Sequence, residues 1–133
     1  MASAIQVVQA ALETLDPLPL ECDGVSRALS QYLMHTQIEH EILFGCLEVV
    51  PYGRTPLHFW VVLADGSHCD IRARIWLGED ERIPHGVFQP MNHQRYQSKG
   101  VERPPYSPVF FWILTETDIS DFAQQVETRL HLE

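Results

Sequence analysis

Two β-rich runs on either side of Asp65-Gly66 constrain the fold of this 133-residue chain more than any other feature. The first spans about Leu57 to Leu63 and the second about His68 to Trp76. An Asp-Gly pair between two such runs is typical of the tight turn of a hairpin. The pattern therefore predicts two antiparallel strands joined at this turn.

Three segments carry apolar residues at helical spacing. The first ends at Asp16-Pro17, because proline disfavours helical conformation in the residue before it. The second opens on Cys22, and Thr117 or Asp118 can cap the third. The predicted apolar stripes are Ile5, Val8, Leu12 and Leu15; Val25, Ala28, Leu29, Tyr32 and Leu33; and Ile119, Phe122, Ala123, Val126 and Leu130.

Two further apolar runs, 41–50 and 108–114, are interpreted as strands, the second buried on both faces because it lacks alternation. The segment between Trp76 and Pro108 shows no periodicity, and we interpret it as a long, substrate-facing loop. We expect one α+β domain over residues 1–133. Its N-terminal helices would pack on an antiparallel sheet of about four strands, with a helix at the C-terminus.

Composition excludes several classes of protein. A net charge of -9, with nine Lys and Arg residues that form no run, argues against nucleic acid as a partner. No apolar run approaches the roughly 20 residues of a membrane span, and the N-terminus lacks the features of a secretory signal. An odd number of scattered cysteines, three, suits free thiols in a reducing compartment. We expect a soluble, cytoplasmic protein without a membrane partner.

Cys22, His58 and Asp70 are the candidate catalytic residues. At a helix start, free backbone N–H groups and the helix dipole stabilise a thiolate and can hold an oxyanion. His58 and Asp70 lie among apolar neighbours, where each needs a partner, and a shared hydrogen bond would satisfy both. A thiol, a base and a group that orients the base are the parts of a nucleophilic site. The alternative is that Cys22 is a small buried apolar residue.

The turn decides whether this triad is geometrically possible. With a strict two-residue loop at Asp65-Gly66, His58 and Asp70 would project from opposite faces of the hairpin. A loop with an odd number of residues places both side chains on one face. The triad therefore predicts a bulge or a longer turn around Ala64 to Ser67.

Trp60, Arg72 and His85 are candidate substrate-binding residues. Trp60 shares the face of His58, Arg72 shares that of Asp70, and His85 lies in the long loop. The alternatives are core packing for Trp60, pairing with surface acids for Arg72 and exposure to water for His85. No C-x-x-C or H-E-x-x-H spacing occurs, and His68, Cys69 and Asp70 alternate faces, so we expect no metal and no other cofactor.

The order of a helix opening on Cys22, a strand with His58-Phe-Trp60-Val, and Asp65-Gly66 followed by Asp70 resembles the transglutaminase-like branch of the papain-like superfamily. The short format is similar to the cysteine peptidases that remove leader segments from bacterial lasso peptides. The resemblance implies hydrolysis, deamidation or acyl transfer on a peptide or protein substrate through a thioester. The rival interpretation is a catalytically inactive binding or interaction module of the same fold, of phage or effector type.

Overall fold

The computed structural model describes residues 2–132, and over this range it contains five helices and five strands. In chain order these are α1 (Ala4–Leu15), α2 (Cys22–His35), β1 (His40–Val49), β2 (Gly53–Leu63), β3 (His68–Asp70), α3 (Ala73–Leu77), β4 (Gly86–Phe88), β5 (Gln94–Glu102), α4 (Pro108–Thr115) and α5 (Ile119–Leu132). The predicted α+β class is confirmed. Among the described residues, no helix is both long and apolar enough to cross a membrane.

The three helices predicted from apolar periodicity are present. Ser3 and Gln6 form a reciprocal capping box at the start of α1, and the helix ends just before Asp16-Pro17. Helix α2 starts at Cys22 and buries its predicted stripe against the sheet. Helix α5 buries Ile119, Phe122 and Val126.

The five strands form one antiparallel sheet in the order β4-β3-β2-β1-β5. Although β4 and β5 are the two ends of this order, the rings of Phe88 and Tyr96 on these strands have centroids 6.0 Å apart. The sheet is therefore strongly curled, and side chains on its inner face contact one another across several strands.

The helices pack on the outer face of the curled sheet. The main core joins α1, α2, α4 and α5 to the odd-numbered residues of β2, such as Val61 and Leu63, and to Cys69 of β3. A second, smaller core joins β1 to α3 and to the segment before β4. It consists of Leu47, Val49, Ala73 and Ile83. The even-numbered residues of β2 are left to the inside of the curl.

Two of the predicted strands are wrong. The second strand of the hairpin ends at Asp70 rather than near Trp76, because the Asp70 carboxylate accepts the Arg72 N–H and turns the chain into α3. Residues 108–115 form a helix, in which the Ser107 side chain caps the Phe110 N–H and Pro108 occupies the first turn.

The segment between Trp76 and Pro108 is not a structureless loop, because it contributes β4 and β5 to the sheet. Strand β5 pairs with β1 over nearly its full length, yet five of its nine residues are exposed. An edge strand with polar side chains on both faces gives no alternating pattern, which is why the sequence did not predict it.

Candidate active site

The hairpin places His58 and Asp70 on the same face. Val61 pairs with Cys69 and Val62 with His68, so that the loop contains three residues, 64–66. Within it, the Leu63 carbonyl accepts the Gly66 N–H, and Gly66 has a positive φ of 87°, which glycine adopts without strain. The odd loop length predicted for the triad is confirmed.

His58 and Asp70 form a buried pair on the inner face of the sheet. The Nε2 of His58 lies 2.6 Å from Oδ2 of Asp70, and the two side chains are 0% and 1% exposed. The Asp70 carboxylate has two further donors. Its Oδ1 accepts the Arg72 N–H at 3.0 Å, and its Oδ2 accepts the Tyr96 hydroxyl at 2.8 Å. Three donors to one carboxylate compensate for much of the cost of burying its charge.

This environment favours the protonated imidazole. Burial alone lowers the pKa of His58, but the charge of Asp70 and its hydrogen bond outweigh burial, and Cys22 adds a smaller contribution in the same direction. Together they raise the pKa of His58 from 6.5 to about 10. At neutral pH the ring therefore carries a proton that it holds tightly.

The second nitrogen of the His58 ring is available for chemistry. Among the described residues, its buried Nδ1 has no hydrogen-bond partner. Cys22 lies near enough to this imidazole to raise its pKa, although the sulfur forms no hydrogen bond with Nδ1 in this structure. The ring is thus held by Asp70 at Nε2 and has Cys22 as its neighbour, as a thiol and its base require.

Cys22 is the first residue of α2, at the end where backbone N–H groups are unpaired within the helix. Glu21 precedes the helix but forms no side-chain hydrogen bond to its first turn. The Gly24 N–H donates to the Asp23 carboxylate at 2.8 Å and the Val25 N–H donates to the Glu21 carbonyl. Among the described residues, the N–H groups of Cys22 and Asp23 are therefore left to interact with a negative charge that develops beside the sulfur.

The other two cysteines occupy different environments. Cys46 and Cys69 are buried, whereas Cys22 is half-buried. Burial, with smaller contributions from Asp70 and Asp65, raises the pKa of Cys69 to about 12, so that this thiol stays protonated at neutral pH. Cys46 accepts a hydrogen bond from Nε of Arg54 at 2.9 Å. Of the three thiols, Cys22 is the one that combines exposure with a neighbouring imidazole.

Arg72 does not bind a substrate in this arrangement. Its guanidinium has five N–H groups, and all five donate within the chain: to the carbonyls of Asp16, Leu18, Leu20 and Ile71 and to the Asp16 carboxylate. Arg72 is 6% exposed and ties the connection between α1 and α2 to the end of β3. The predicted role in substrate binding is therefore corrected to a structural one, and the alternative of an acidic partner is found in Asp16.

The structure places Trp60 in the interior and His85 beside Asp16. Trp60 is 1% exposed inside the curl, where its ring stacks on that of His58 at 6.3 Å between centroids. It shares the face of His58 as predicted, but it shields the His58–Asp70 pair and offers no surface to a ligand. The side chain of His85 is one-third exposed, and its Nε2 lies 3.5 Å from the Asp16 carboxylate that Arg72 also binds.

Tyr96 is the site residue that the sequence did not predict. It lies on β5, within the segment interpreted as a loop, and its hydroxyl reaches Asp70 across the curled sheet. A tyrosine in a polar run gives no local signal for such a contact. The one available signal is that a buried carboxylate such as Asp70 needs several hydrogen-bond donors, but this does not say which residues supply them.

Next to Cys22 the chain encloses a cavity of about 10 Å³, which is about the volume accessible to one water molecule. It is lined by the start of α2, by Leu12 of α1 and by residues 69–72. Over residues 2–132, no group of three or more His, Cys, Asp or Glu side chains is arranged to hold a metal ion. The cavity beside Cys22 is too small for a ligand larger than water.

Comparison of the chain with models of known protein families, with curated proteins and with solved structures finds no match.

Proposed function

We propose that this chain is a cysteine-dependent amidohydrolase or acyltransferase that forms a thioester at Cys22. The observation that carries the proposal is the His58 ring, which is bound at Nε2 by a buried carboxylate, unpartnered at Nδ1 and adjacent to a half-buried thiol. A histidine that served only packing would not need both a buried counter-charge and a neighbouring cysteine at a helix start.

The proposed reaction has two half-reactions. The Cys22 sulfur attacks the acyl carbon as a thiolate paired with protonated His58, and the oxyanion that forms faces the N–H groups of Cys22 and Asp23 at the start of α2. Protonated His58 gives its Nδ1 proton to the leaving amine as the bond between carbon and nitrogen breaks, which leaves a thioester. Water or an amine then attacks the thioester and His58 accepts its proton. The bond between carbon and sulfur breaks, which releases a carboxylic acid or a new amide and restores the Cys22 thiolate beside protonated His58. Asp70 keeps the ring oriented throughout.

The fold supports this proposal through the order of its site elements. A helix that opens on the cysteine, followed by neighbouring antiparallel strands that carry the histidine and the aspartate, is the arrangement expected of a papain-like or transglutaminase-like protein. We therefore propose that the α+β domain is of this type, and that three free thiols fit a reducing, cytoplasmic setting.

The proposed substrate class rests on the small size of the cavity beside Cys22 and on the charges around the thiol. The cavity beside Cys22 is too small for a ligand, so that we propose a peptide or a protein side chain as substrate, presented at the surface. Glu21 and Asp23 flank the thiol, and the chain carries a net charge of -9. These charges favour a basic or neutral segment next to the reacting acyl group.

The proposal is tested with 4-nitrophenyl acetate, an acyl donor that does not depend on the natural substrate. We expect a burst of one equivalent of nitrophenolate and an acetyl group on Cys22, located by peptide mass spectrometry. Cys22→Ala removes the burst, and His58→Gln slows it about 100-fold or more. Cys46→Ala, which removes a buried thiol outside the site, is the matched control and leaves the burst unchanged. Equal acetylation of all three cysteines, or a rate that His58→Gln does not alter, contradicts the proposal.

A specific observation also supports the second candidate, an inactive interaction module. Val109, Trp112 and Ile113 form an apolar face on α4, and each is more than half exposed. A face of this kind on a folded domain is typical of a contact surface for another protein. Absence of acetyl transfer to Cys22 in a fully folded preparation favours this second candidate.

A further inference from the structure

We propose that Tyr96 is a positioning residue that acts through Asp70: its phenol donates to the carboxylate oxygen that also binds His58 and so weakens the hold of Asp70 on the imidazole proton. The inference rests on the proposed thiol chemistry, because it concerns the base of that reaction. It assigns a catalytic contribution to β5, a strand that pairs with neither β2 nor β3.

The geometry that carries the inference is a shared oxygen. Oδ2 of Asp70 lies 2.6 Å from Nε2 of His58 and accepts the Tyr96 hydroxyl at 2.8 Å. The second oxygen, Oδ1, is engaged by the Arg72 N–H. Both donors therefore bind the same oxygen. The hydrogen bond from the phenol reduces the negative charge on that oxygen and so weakens its hydrogen bond with the imidazole.

Tyr96 is held in place by the rings around it. Its ring meets Trp60 and His68 edge to face, with centroids 4.9 and 5.0 Å apart, and Phe88 lies at 6.0 Å. Contacts with these three rings leave the phenol little freedom to turn away from Asp70. The hydroxyl is consequently a fixed donor and not one of several conformers.

Such a donor matters because a proton held too tightly is a poor acid. The most effective catalytic acid has a pKa near the working pH, whereas Asp70 raises the pKa of His58 well above 7. A hydrogen bond from a neutral phenol stabilises the carboxylate without adding charge, and so reduces its attraction for the imidazolium. Tyr96 thereby makes it easier for His58 to release its proton to a leaving group.

The titratable and charged groups that face this pair come from every element packed against it. They are Cys22 on α2, His58 on β2, His68 and Asp70 on β3, Arg72 after β3 and Tyr96 on β5. The phenol stays neutral across the working range, because burial and the negative charge of Asp70 raise the pKa of Tyr96. Burial lowers the pKa of His68, so that this ring is neutral when His58 is charged.

The experiment is an NMR titration of the His58 imidazole in the whole chain, with its signals assigned by comparison with His58→Gln. Tyr96→Phe keeps the ring and its packing but removes the donor. We expect the midpoint of His58 to move upward by about one unit. Tyr106→Phe is the matched control. It removes a hydroxyl that lies 2.9 Å from Nδ1 of a different histidine, His35, and it should leave the midpoint of His58 unchanged. An unchanged or lowered midpoint in Tyr96→Phe overturns the inference.

A second variant decides the matter if Tyr96→Phe does not fold. A 3-fluorotyrosine at position 96 is a stronger donor than tyrosine, so that the midpoint of His58 should move downward, in the opposite direction to Tyr96→Phe. An unchanged or raised midpoint there overturns the inference as well. Acetylation of Cys22 in the unaltered chain is measured in parallel. Its absence removes the proposed function, whereas normal acetylation without these shifts removes only the role of Tyr96.

Discussion

Asp70→Asn is the change that most directly tests the electrostatics of the site. The amide keeps the size and most of the hydrogen-bonding capacity of the carboxylate, but it removes the negative charge that His58 faces at 2.6 Å. In the unaltered chain this charge overcomes burial and raises the pKa of His58 to about 10. Without it burial dominates, and we expect the pKa of His58 to fall below 6.5.

The consequence for stability has a defined sign. A group whose pKa is raised by folding stabilises the fold fully below its unfolded value, here 6.5, and this contribution is lost as the pH rises through about 10. A difference of more than three units corresponds to up to about 5 kcal/mol. The unaltered chain should therefore lose stability between pH 6.5 and 10. In Asp70→Asn this loss disappears, and stability is instead lost when the pH falls below about 6.5.

The assay is urea denaturation followed by circular dichroism at pH 6, 8 and 10. At pH 6 we expect Asp70→Asn to lower the free energy of unfolding by about 3 to 5 kcal/mol, and at pH 10 by much less. Asp121→Asn, which removes an exposed carboxylate from α5, serves as the matched control and should behave like the unaltered chain. A destabilisation by Asp70→Asn that is the same at pH 6 and pH 10 refutes this account of the His58–Asp70 pair.

Two further predictions concern the elements that hold the site. Arg72→Lys leaves at most three N–H donors where five are in use, so that we expect a loss of about 3 kcal/mol in the same urea assay. The exposed Arg95→Lys, whose guanidinium pairs with Glu48, should change stability by less than about 0.5 kcal/mol. Equal effects of the two changes would argue against a stabilising role of the buried Arg72 hydrogen bonds. Gly45→Ala places a Cβ 2.0 Å from the Gln97 carbonyl oxygen, so that we expect thermal unfolding to report a loss of at least about 2 kcal/mol. Gly24→Ala meets only the flexible Leu20 side chain and should stay within about 1 kcal/mol, and a mild effect at both glycines would contradict the close packing of β1 on β5.

Local signals were sufficient for the helices that the sequence predicted. Helix α1 ends at Asp16-Pro17 and α5 buries a stripe that recurs at helical spacing, and neither depends on distant parts of the chain. The 108–114 run was misread because an unbroken apolar run fits a buried strand and a helix equally well. Its deciding signal was also local, since Ser107 and Pro108 form a helix start.

The boundary of β3 shows a different limit. Residues 71–75 alternate apolar and charged side chains as a strand would, yet the chain turns immediately after Asp70. The turn is made by the Asp70 carboxylate, which accepts the Arg72 N–H, and by the Arg72 side chain, which reaches back to the connection between α1 and α2. Alternation indicates a preference for a strand, whereas the contacts of the Arg72 side chain depend on a segment more than 50 residues away.

The His58–Asp70 pair could be predicted from the sequence because a buried histidine and a buried aspartate each need a partner, and the nearby turn limits which faces they share. The contact between Tyr96 and Asp70 could not be predicted in this way. Gly45 lies opposite His58 on β1, and its missing side chain lets β5 approach β1 closely. That approach brings Tyr96 to Asp70. A donor contributed by strand packing has no signature in its own segment.

Arg72 links the Asp70 carboxylate to the segment that positions the Cys22 sulfur. The carbonyls that it binds belong to the segment 16–20, which leads directly into the first turn of α2. The same residue donates its backbone N–H to Asp70. One residue thus fixes both the carboxylate that orients the imidazole and the chain that delivers Cys22 to it. In the proposed thiol chemistry a nucleophile and its base act only within hydrogen-bond reach. The saturated guanidinium would therefore contribute to that chemistry by fixing this distance, although it contacts no reacting atom.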